Sequence, residues 1–188
     1  MKSIVVDNFF EDITEVYNHV KSIKTYDCEN YPNDSNTDTF ISKGKAYEAK
    51  IDWPGYRSDQ LAGKDDWLLE KFSEGFKKHF TGLIRGQFNL HMFSHLRLEK
   101  DNETDFIHKD LPHTYSMLIY LSPTNLNSGT DLYNENKEMV NSFKFVQNRA
   151  IVFDSGYYHK AINNHGNDVN DGRLTLNIFM DVPEVNQQ

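Results

Sequence analysis

The chain of 188 residues has a single cysteine, Cys28, so it can form no intramolecular disulfide and contains no cysteine-rich zinc site. It has no apolar run approaching the roughly 20 residues that span a bilayer. The apolar N-terminal stretch "SIVV" breaks at Asp7, too early for a secretory signal core. Positive charge is scarce: 20 Lys and Arg stand against 28 Asp and Glu, and the net charge of −8 argues against non-specific binding to nucleic acid. Internal repeats and low-complexity tracts are missing as well. These absences lead to the expectation of a soluble, cytoplasmic protein with no membrane or nucleic-acid partner. Aromatic residues, by contrast, are plentiful. Apolar residues make up only 38% of the chain, but 13 Phe and 10 Tyr can supply core area that the aliphatic side chains alone would not. One globular domain over 1–188 is expected.

The pattern changes near residue 82. Before it, "SIVVDNF" reads as a first strand. Asp12 with Glu15 then starts a helix whose Ile13, Val16, Tyr17, Val20 and Ile23 share one face. The polar stretch from Tyr26 to Ser42 reads as a long loop, "WPG" as a turn, and Asp65 to Phe80 as a second helix with an apolar stripe at Leu68, Leu69, Phe72 and Phe76. After residue 82 the chain reads as strands. In "FNLHMFSHLRL", Leu90, Met92, Leu96 and Leu98 point one way and His91, Phe93, His95 and Arg97 the other. "TYSMLIYLS", "NSFKFV", "AIVFDS" and "RLTLNIFMDV" follow, separated by turn residues. The expected fold class is α+β, with a helix- and loop-rich part at 1–82, a β-sandwich or jelly-roll core at 83–182 and a tail at 183–188.

Within this core, "FIHKD" places His108 and Asp110 two positions apart, on the same face of an expected strand. With eight histidines and 28 acidic residues, roughly one such triplet arises by chance, so the pair needs support from elsewhere. His159, just past the apolar strand "AIVF", is the candidate third ligand. Two imidazoles and one carboxylate suit Fe(II), Zn(II) or Mn(II) and leave coordination positions open. Fourteen residues on, Arg173 heads the strand "RLTLNIFM" with Thr175 on the same face, a guanidinium and a hydroxyl suited to clamping a carboxylate.

Taken together, "FIHKD … YLSP … SGTDLY … NRAIVFDSGYYHKA … GRLTLNIF" resembles the Fe(II)- and 2-oxoglutarate-dependent dioxygenase superfamily, and within it the prolyl 4-hydroxylase-like branch with its small bacterial and phage members. The resemblance covers roughly residues 88 to 181. It implies a double-stranded β-helix (jelly-roll, cupin-like) core braced by N-terminal helices. His108, Asp110 and His159 would hold Fe(II), and Arg173, helped by Thr175 and Tyr120, would bind 2-oxoglutarate. With O2 as oxidant, such an enzyme hydroxylates a peptidyl or small-molecule substrate, with proline the first candidate, and releases succinate and CO2. The segment "RLEKDNETDF" departs from the branch, since many relatives carry a Tyr-x-x-Gly motif there. A non-catalytic jelly-roll binding module and a cupin-like metal enzyme without cosubstrate are the alternatives.

Other polar residues have plainer expected roles. His165 falls in an Asn- and Gly-rich turn and is expected to be solvated, and His113 follows Pro112 in a surface loop. His91 and His95 lie on a strand, not at helical ligand spacing, and Lys160 takes the face opposite His159. Trp53, Tyr56 and Arg57 form either a substrate lid or a packed loop.

Overall fold

A computed structural model describes residues 3–31, 37–42, 45–50, 53–80 and 88–181. The expected boundary at 82/83 and the tail at 183–188 lie outside the described residues. Twelve strands and two α-helices follow in chain order: β1 (Ile4–Val6), α1 (Ile13–Ser22), β2 (Thr25–Tyr26), β3 (Thr37–Ser42), β4 (Lys45–Lys50), β5 (Tyr56–Ser58), α2 (Asp66–Phe80), β6 (Asn89–Arg97), β7 (Tyr115–Tyr120), β8 (Asn125–Tyr133), β9 (Met139–Phe145), β10 (Ala150–Asp154), β11 (Tyr158–Ile162) and β12 (Arg173–Asp181). A short 3-10 turn, Glu99–Asn102, follows β6.

A seven-stranded antiparallel sheet in the order β1-β10-β7-β12-β6-β5-β2 faces a three-stranded sheet, β11-β8-β9. The two are joined by apolar side chains from both, with Leu118, Tyr120, Ile151 and Phe153 of the large sheet meeting Leu132, Phe143 and Phe145 of the small one. The opposite, outer face of the large sheet is covered by the helices. Met92, Leu96, Met117, Ile119, Val152, Leu174, Leu176, Ile178 and Met180 pack there against Val16 and Val20 of α1 and Leu68, Phe72 and Phe80 of α2. The sequence alternation therefore divides each central strand between two interiors. On β12 the even-numbered residues face the helices, while Arg173, Thr175, Asn177 and Phe179 face the small sheet.

Both helices begin as their sequences dictate. Asp12 Oδ1 accepts from the backbone N–H of Glu15 at 2.9 Å, and Asp65 Oδ1 accepts from that of Leu68 at 3.0 Å, each satisfying an otherwise unpaired helical donor. The stretch from Tyr26 to Ser42, expected to be loop, instead contains β3, which pairs with β4 from Thr37↔Lys50 to Ser42↔Lys45. This pairing is set by the ladder between the two segments, which the polar, Asn- and Asp-rich composition of the stretch did not announce. The N-terminal part also contributes β1, β2 and β5 to the large sheet, more strand than its sequence announced. At β8 the ladder is irregular between Asn125 and Gly129, and a Cβ at Gly129 would lie 2.1 Å from the Phe143 carbonyl oxygen. Only glycine allows β9 to approach so closely there. Among the described residues, no helix is long and apolar enough to cross a membrane.

Candidate metal centre

His108, Asp110 and His159 come together, with one ligand atom from each lying within 4.8 Å of the others. His108 does not stand on a strand, as the sequence reading had it. It lies in an irregular segment and forms an isolated antiparallel bridge with His159 of β11. The bridge is two-way: His108 N–H donates to the His159 carbonyl at 3.0 Å and His159 N–H donates to that of His108 at 2.8 Å. A single pair of backbone hydrogen bonds thus fixes the separation of two candidate ligands fifty-one positions apart.

The imidazoles are oriented alike. His108 Nδ1 lies 3.0 Å from the Phe106 carbonyl and His159 Nδ1 3.4 Å from that of Tyr157, in each case the residue two positions earlier. Protonation at Nδ1 satisfies both carbonyls and leaves both Nε2 lone pairs for an ion. Those Nε2 atoms face the Asp110 carboxylate, at 3.8 Å for His108 and 3.3 Å for His159. Three ligands about 2.1 Å from one divalent ion and at right angles to each other would be roughly 3.0 Å apart. The triad therefore fits a first-row divalent ion on one face, with small adjustments.

Ser116 Oγ donates to Asp110 Oδ2 at 2.6 Å and accepts from Ser155 Oγ at 2.8 Å, which fixes the carboxylate in place. Burial drives the Asp110 pKa upward, but His159, His108 and the Ser116 bond outweigh it and hold the carboxyl below its usual range. Burial, reinforced by His108 and Arg97 against the pull of Asp110, lowers His159 to about 4. The imidazole is therefore neutral at pH 7, as a ligand must be.

Deeper between the sheets is Arg173, 4% exposed. Its Nη2 donates to Thr130 Oγ1 at 3.1 Å and to the Gly129 carbonyl at 3.3 Å, and its guanidinium stacks over the rings of Tyr120 and Phe145. Tyr120, fully buried, donates from its hydroxyl to Thr130 Oγ1 at 2.8 Å. No carboxylate forms an ion pair with Arg173 among the described residues, and its Nε is buried without a hydrogen-bond partner. Burial pushes its pKa down to about 10, so it remains a cation at neutral pH. A sealed, charged and under-bonded guanidinium is a site for an anion. Thr175 lies on the same face, but its hydroxyl donates to Asn177 Oδ1 at 2.8 Å; Asn177 Nδ2 in turn lies 3.2 Å from His95 Nδ1, and His95 Nε2 lies 2.8 Å from the Pro54 carbonyl. Burial holds the pKa of His95 well below the ordinary value, and the neutral ring links the inner face of the sheet to the Trp53–Gly55 turn.

Along β12 the inner-facing side chains pass from buried (Arg173, Thr175) to half-buried (Asn177, Phe179). That face is therefore sealed around Arg173 and less enclosed toward Phe179. There Arg57 packs 3.5 Å above the Phe93 ring and 4.7 Å from that of Trp53, so Trp53, Arg57 and Phe93 form a packed cluster. His113, expected at the surface, is 7% exposed: its Nδ1 is 3.0 Å from Asp181 Oδ2 and its ring stacks on Phe179, because the chain after Asp110 turns back onto β12. His165, expected to be solvated, is half-buried with its ring edge-on to Phe145. Neither His91 nor His95 joins the metal group. Ser116, Thr130, Asn177 and Asp105 were not singled out from sequence. For Ser116 and Asn177 the one signal was a polar residue within an otherwise apolar strand; Asp105, in the loop after the 3-10 turn, and Thr130, on the polar strand β8, had none.

No family model matches the chain, and no curated protein matches it. Solved structures do. HygX from Streptomyces hygroscopicus, with nickel and 2-oxoglutarate bound, superposes with a TM-score of 0.61 at 10% identity, covering 97% of this chain and 83% of that one. An oxidoreductase of the 2OG-Fe(II) oxygenase family from Burkholderia pseudomallei gives 0.59 at 11% identity, covering 95% and 84%. A prolyl hydroxylase from Trichoplax adhaerens, in complex with a hypoxia-inducible-factor peptide fragment, gives 0.56 at 11%, covering 95% and 83%. The chain has the fold of 2-oxoglutarate- and Fe(II)-dependent oxygenases, prolyl hydroxylases among them.

Proposed function

We propose that the protein is an Fe(II)- and 2-oxoglutarate-dependent oxygenase with a double-stranded β-helix core, and that it hydroxylates a peptidyl or small-molecule substrate while forming succinate and CO2. One observation carries this reading: a two-histidine, one-carboxylate group and a buried guanidinium with no acidic partner among the described residues both stand between the two sheets. A dicarboxylate with a keto group at one end matches both. A metal enzyme without cosubstrate would have no use for the buried cation, and neither would a binding module.

His108, Asp110 and His159 would hold the iron, which when bound supplies the redox chemistry with O2. The chain's own residues do the rest. Arg173 fixes the remote carboxylate of 2-oxoglutarate, with Tyr120 and Thr130 bracing the guanidinium, and a rotation of the Thr175 hydroxyl away from Asn177 adds a further donor. This sets the keto acid end toward the metal in one orientation. The apolar inner side chains Leu118, Leu132 and Phe153 exclude water from the path between. The half-buried mouth at Asn177 and Phe179 faces the substrate. The peptide carried by the Trichoplax enzyme makes a peptidyl substrate, proline first, the leading candidate for this mouth.

Mixing the protein anaerobically with Fe(II) and 2-oxoglutarate tests the reading. A weak visible charge-transfer band should appear in the wild type and be missing in His108→Ala and Asp110→Ala. A colourless wild-type mixture at saturating ligand would rule out the assignment.

A further inference from the structure

The inner face of the large sheet carries a second buried guanidinium. Arg97 on β6 and Arg173 on β12 are direct register partners, so their side chains leave the sheet on the same face. In such a pair the Cβ atoms lie about 4.5–5.5 Å apart, and like charges directly opposite one another destabilise the sheet. Both residues are almost sealed, at 6% and 4% exposure. Among the described residues a single carboxylate compensates them: Arg97 Nη1 donates to Asp105 Oδ2 at 2.5 Å. That carboxylate has other donors as well, with Oδ2 accepting from Asn164 Nδ2 at 3.2 Å and Oδ1 from the Phe106 backbone N–H at 2.9 Å. A guanidinium has five donors. The Nε of Arg97, like that of Arg173, is buried and makes no hydrogen bond. Asn164 Oδ1 and His165 Nδ1, from the loop that leads into β12, are likewise buried and unbonded. Two cations, one anion and a set of unmet polar atoms therefore lie together on this face.

Resting on the oxygenase reading above, we propose that Arg97 is a second cosubstrate-binding residue, sharing with Arg173 the carboxylate remote from the metal. Asp105 keeps Arg97 in position for this. It also tethers the start of the metal-binding segment, because the Phe106 whose N–H it accepts offers its carbonyl to His108 Nδ1. The cosubstrate clamp and a metal ligand are thus joined through three consecutive contacts. The sequence places Arg97 on one face of its strand with His91, Phe93 and His95, and gave it no role.

The test is calorimetric, with Mn(II) in place of iron so that no turnover occurs. 2-Oxoglutarate is compared with 2-oxobutyrate, which keeps the keto acid end and lacks the remote carboxylate. Arg97→Met should weaken 2-oxoglutarate about 10- to 100-fold, as expected for a lost charge-assisted bond, and leave 2-oxobutyrate within about twofold. The double variant Arg97→Met/Asp105→Asn removes both charges of the pair and should bind 2-oxoglutarate as weakly as the single variant. It also serves as the readout if the single variant fails to fold. Wild-type affinity in Arg97→Met, restored affinity in the double variant, or equal losses for both ligands would each overturn the proposal, the last two by reducing Arg97 to a structural partner. A wild-type protein that binds 2-oxoglutarate with Arg97→Met unchanged rejects this inference alone. A wild-type protein that binds no 2-oxoglutarate rejects the oxygenase reading beneath it.

Discussion

The two faces of the large sheet are buried to similar degrees but differ in chemistry. The outer face, under α1 and α2, is built from Leu, Ile, Val, Met and Phe. The inner face, across the same strands, sets Arg97, Arg173, His95, Thr175, Asn177 and Ser116, all buried or nearly so, beside apolar Leu118, Ile151 and Phe153. Burying apolar area stabilises the fold, whereas burying cations and neutral histidines costs free energy unless each is paired. Because the strands are shared, the outer face can supply the stability that holds the inner one in a strained electrostatic state. Where a sheet retains such residues against their cost, a ligand is the natural compensation.

Substitutions on the two faces should separate the roles, and the largest effect belongs to the ligands. His159→Ala or Asp110→Ala should abolish metal-dependent 2-oxoglutarate binding, a loss of more than about 1,000-fold measured by calorimetry, with modest change in stability. Next comes the outer face. Leu176, fully buried under the helices, should cost about 2–5 kcal/mol as Leu176→Ala in urea denaturation while leaving cosubstrate affinity within about twofold. Its strand neighbour Arg173 should behave in reverse: Arg173→Met should weaken 2-oxoglutarate about 100-fold yet leave stability unchanged or raised, since it removes a buried charge without an acidic partner among the described residues. An Arg173→Met variant that unfolded like Leu176→Ala would erase the distinction between the faces.

Two smaller effects sharpen it. Ser116→Ala should weaken metal binding about tenfold, because the hydroxyl 2.6 Å from Asp110 fixes the carboxylate's orientation. The last concerns His95, whose pKa burial holds well below the ordinary value. The unfolded chain then binds a proton that the folded one refuses, so stability should fall as pH drops below about 6.5, by at most ~1.4 kcal/mol per pH unit for this group. Denaturation at several pH values should show a shallower slope in His95→Gln.

The comparison of faces also explains what was legible in the sequence. Alternation in "FNLHMFSHLRL" separated Met92 and Leu96 from His95 and Arg97 correctly, because a strand's period of two leaves no freedom once one face is apolar. The helices were legible for a similar reason, with Asp12 and Asp65 as their caps. Less could be read of contacts that depend on long-range register. The bridge between His108 and His159 is set by how β11 lies against an irregular segment, and no local pattern encodes it. The burial of His113 against Asp181 likewise depends on a chain reversal onto β12. β3 and β4 escaped notice because their pairing is a backbone ladder that the polar composition of Tyr26 to Ser42 did not announce. Thr130 and Ser116 looked like ordinary strand residues; the facing sheet gives Thr130 its partners, and Asp110 and the turn residue Ser155 give Ser116 its own.

The central claim is that the inner face forms one cavity with a divalent ion at its mouth and a carboxylate clamp at its base. Calorimetric titration of 2-oxoglutarate into the wild-type protein, with and without saturating Mn(II), tests it most directly. The account predicts tight one-to-one binding that requires the metal and is lost in Arg173→Met. Equal binding with and without metal, or none in its presence, would contradict it.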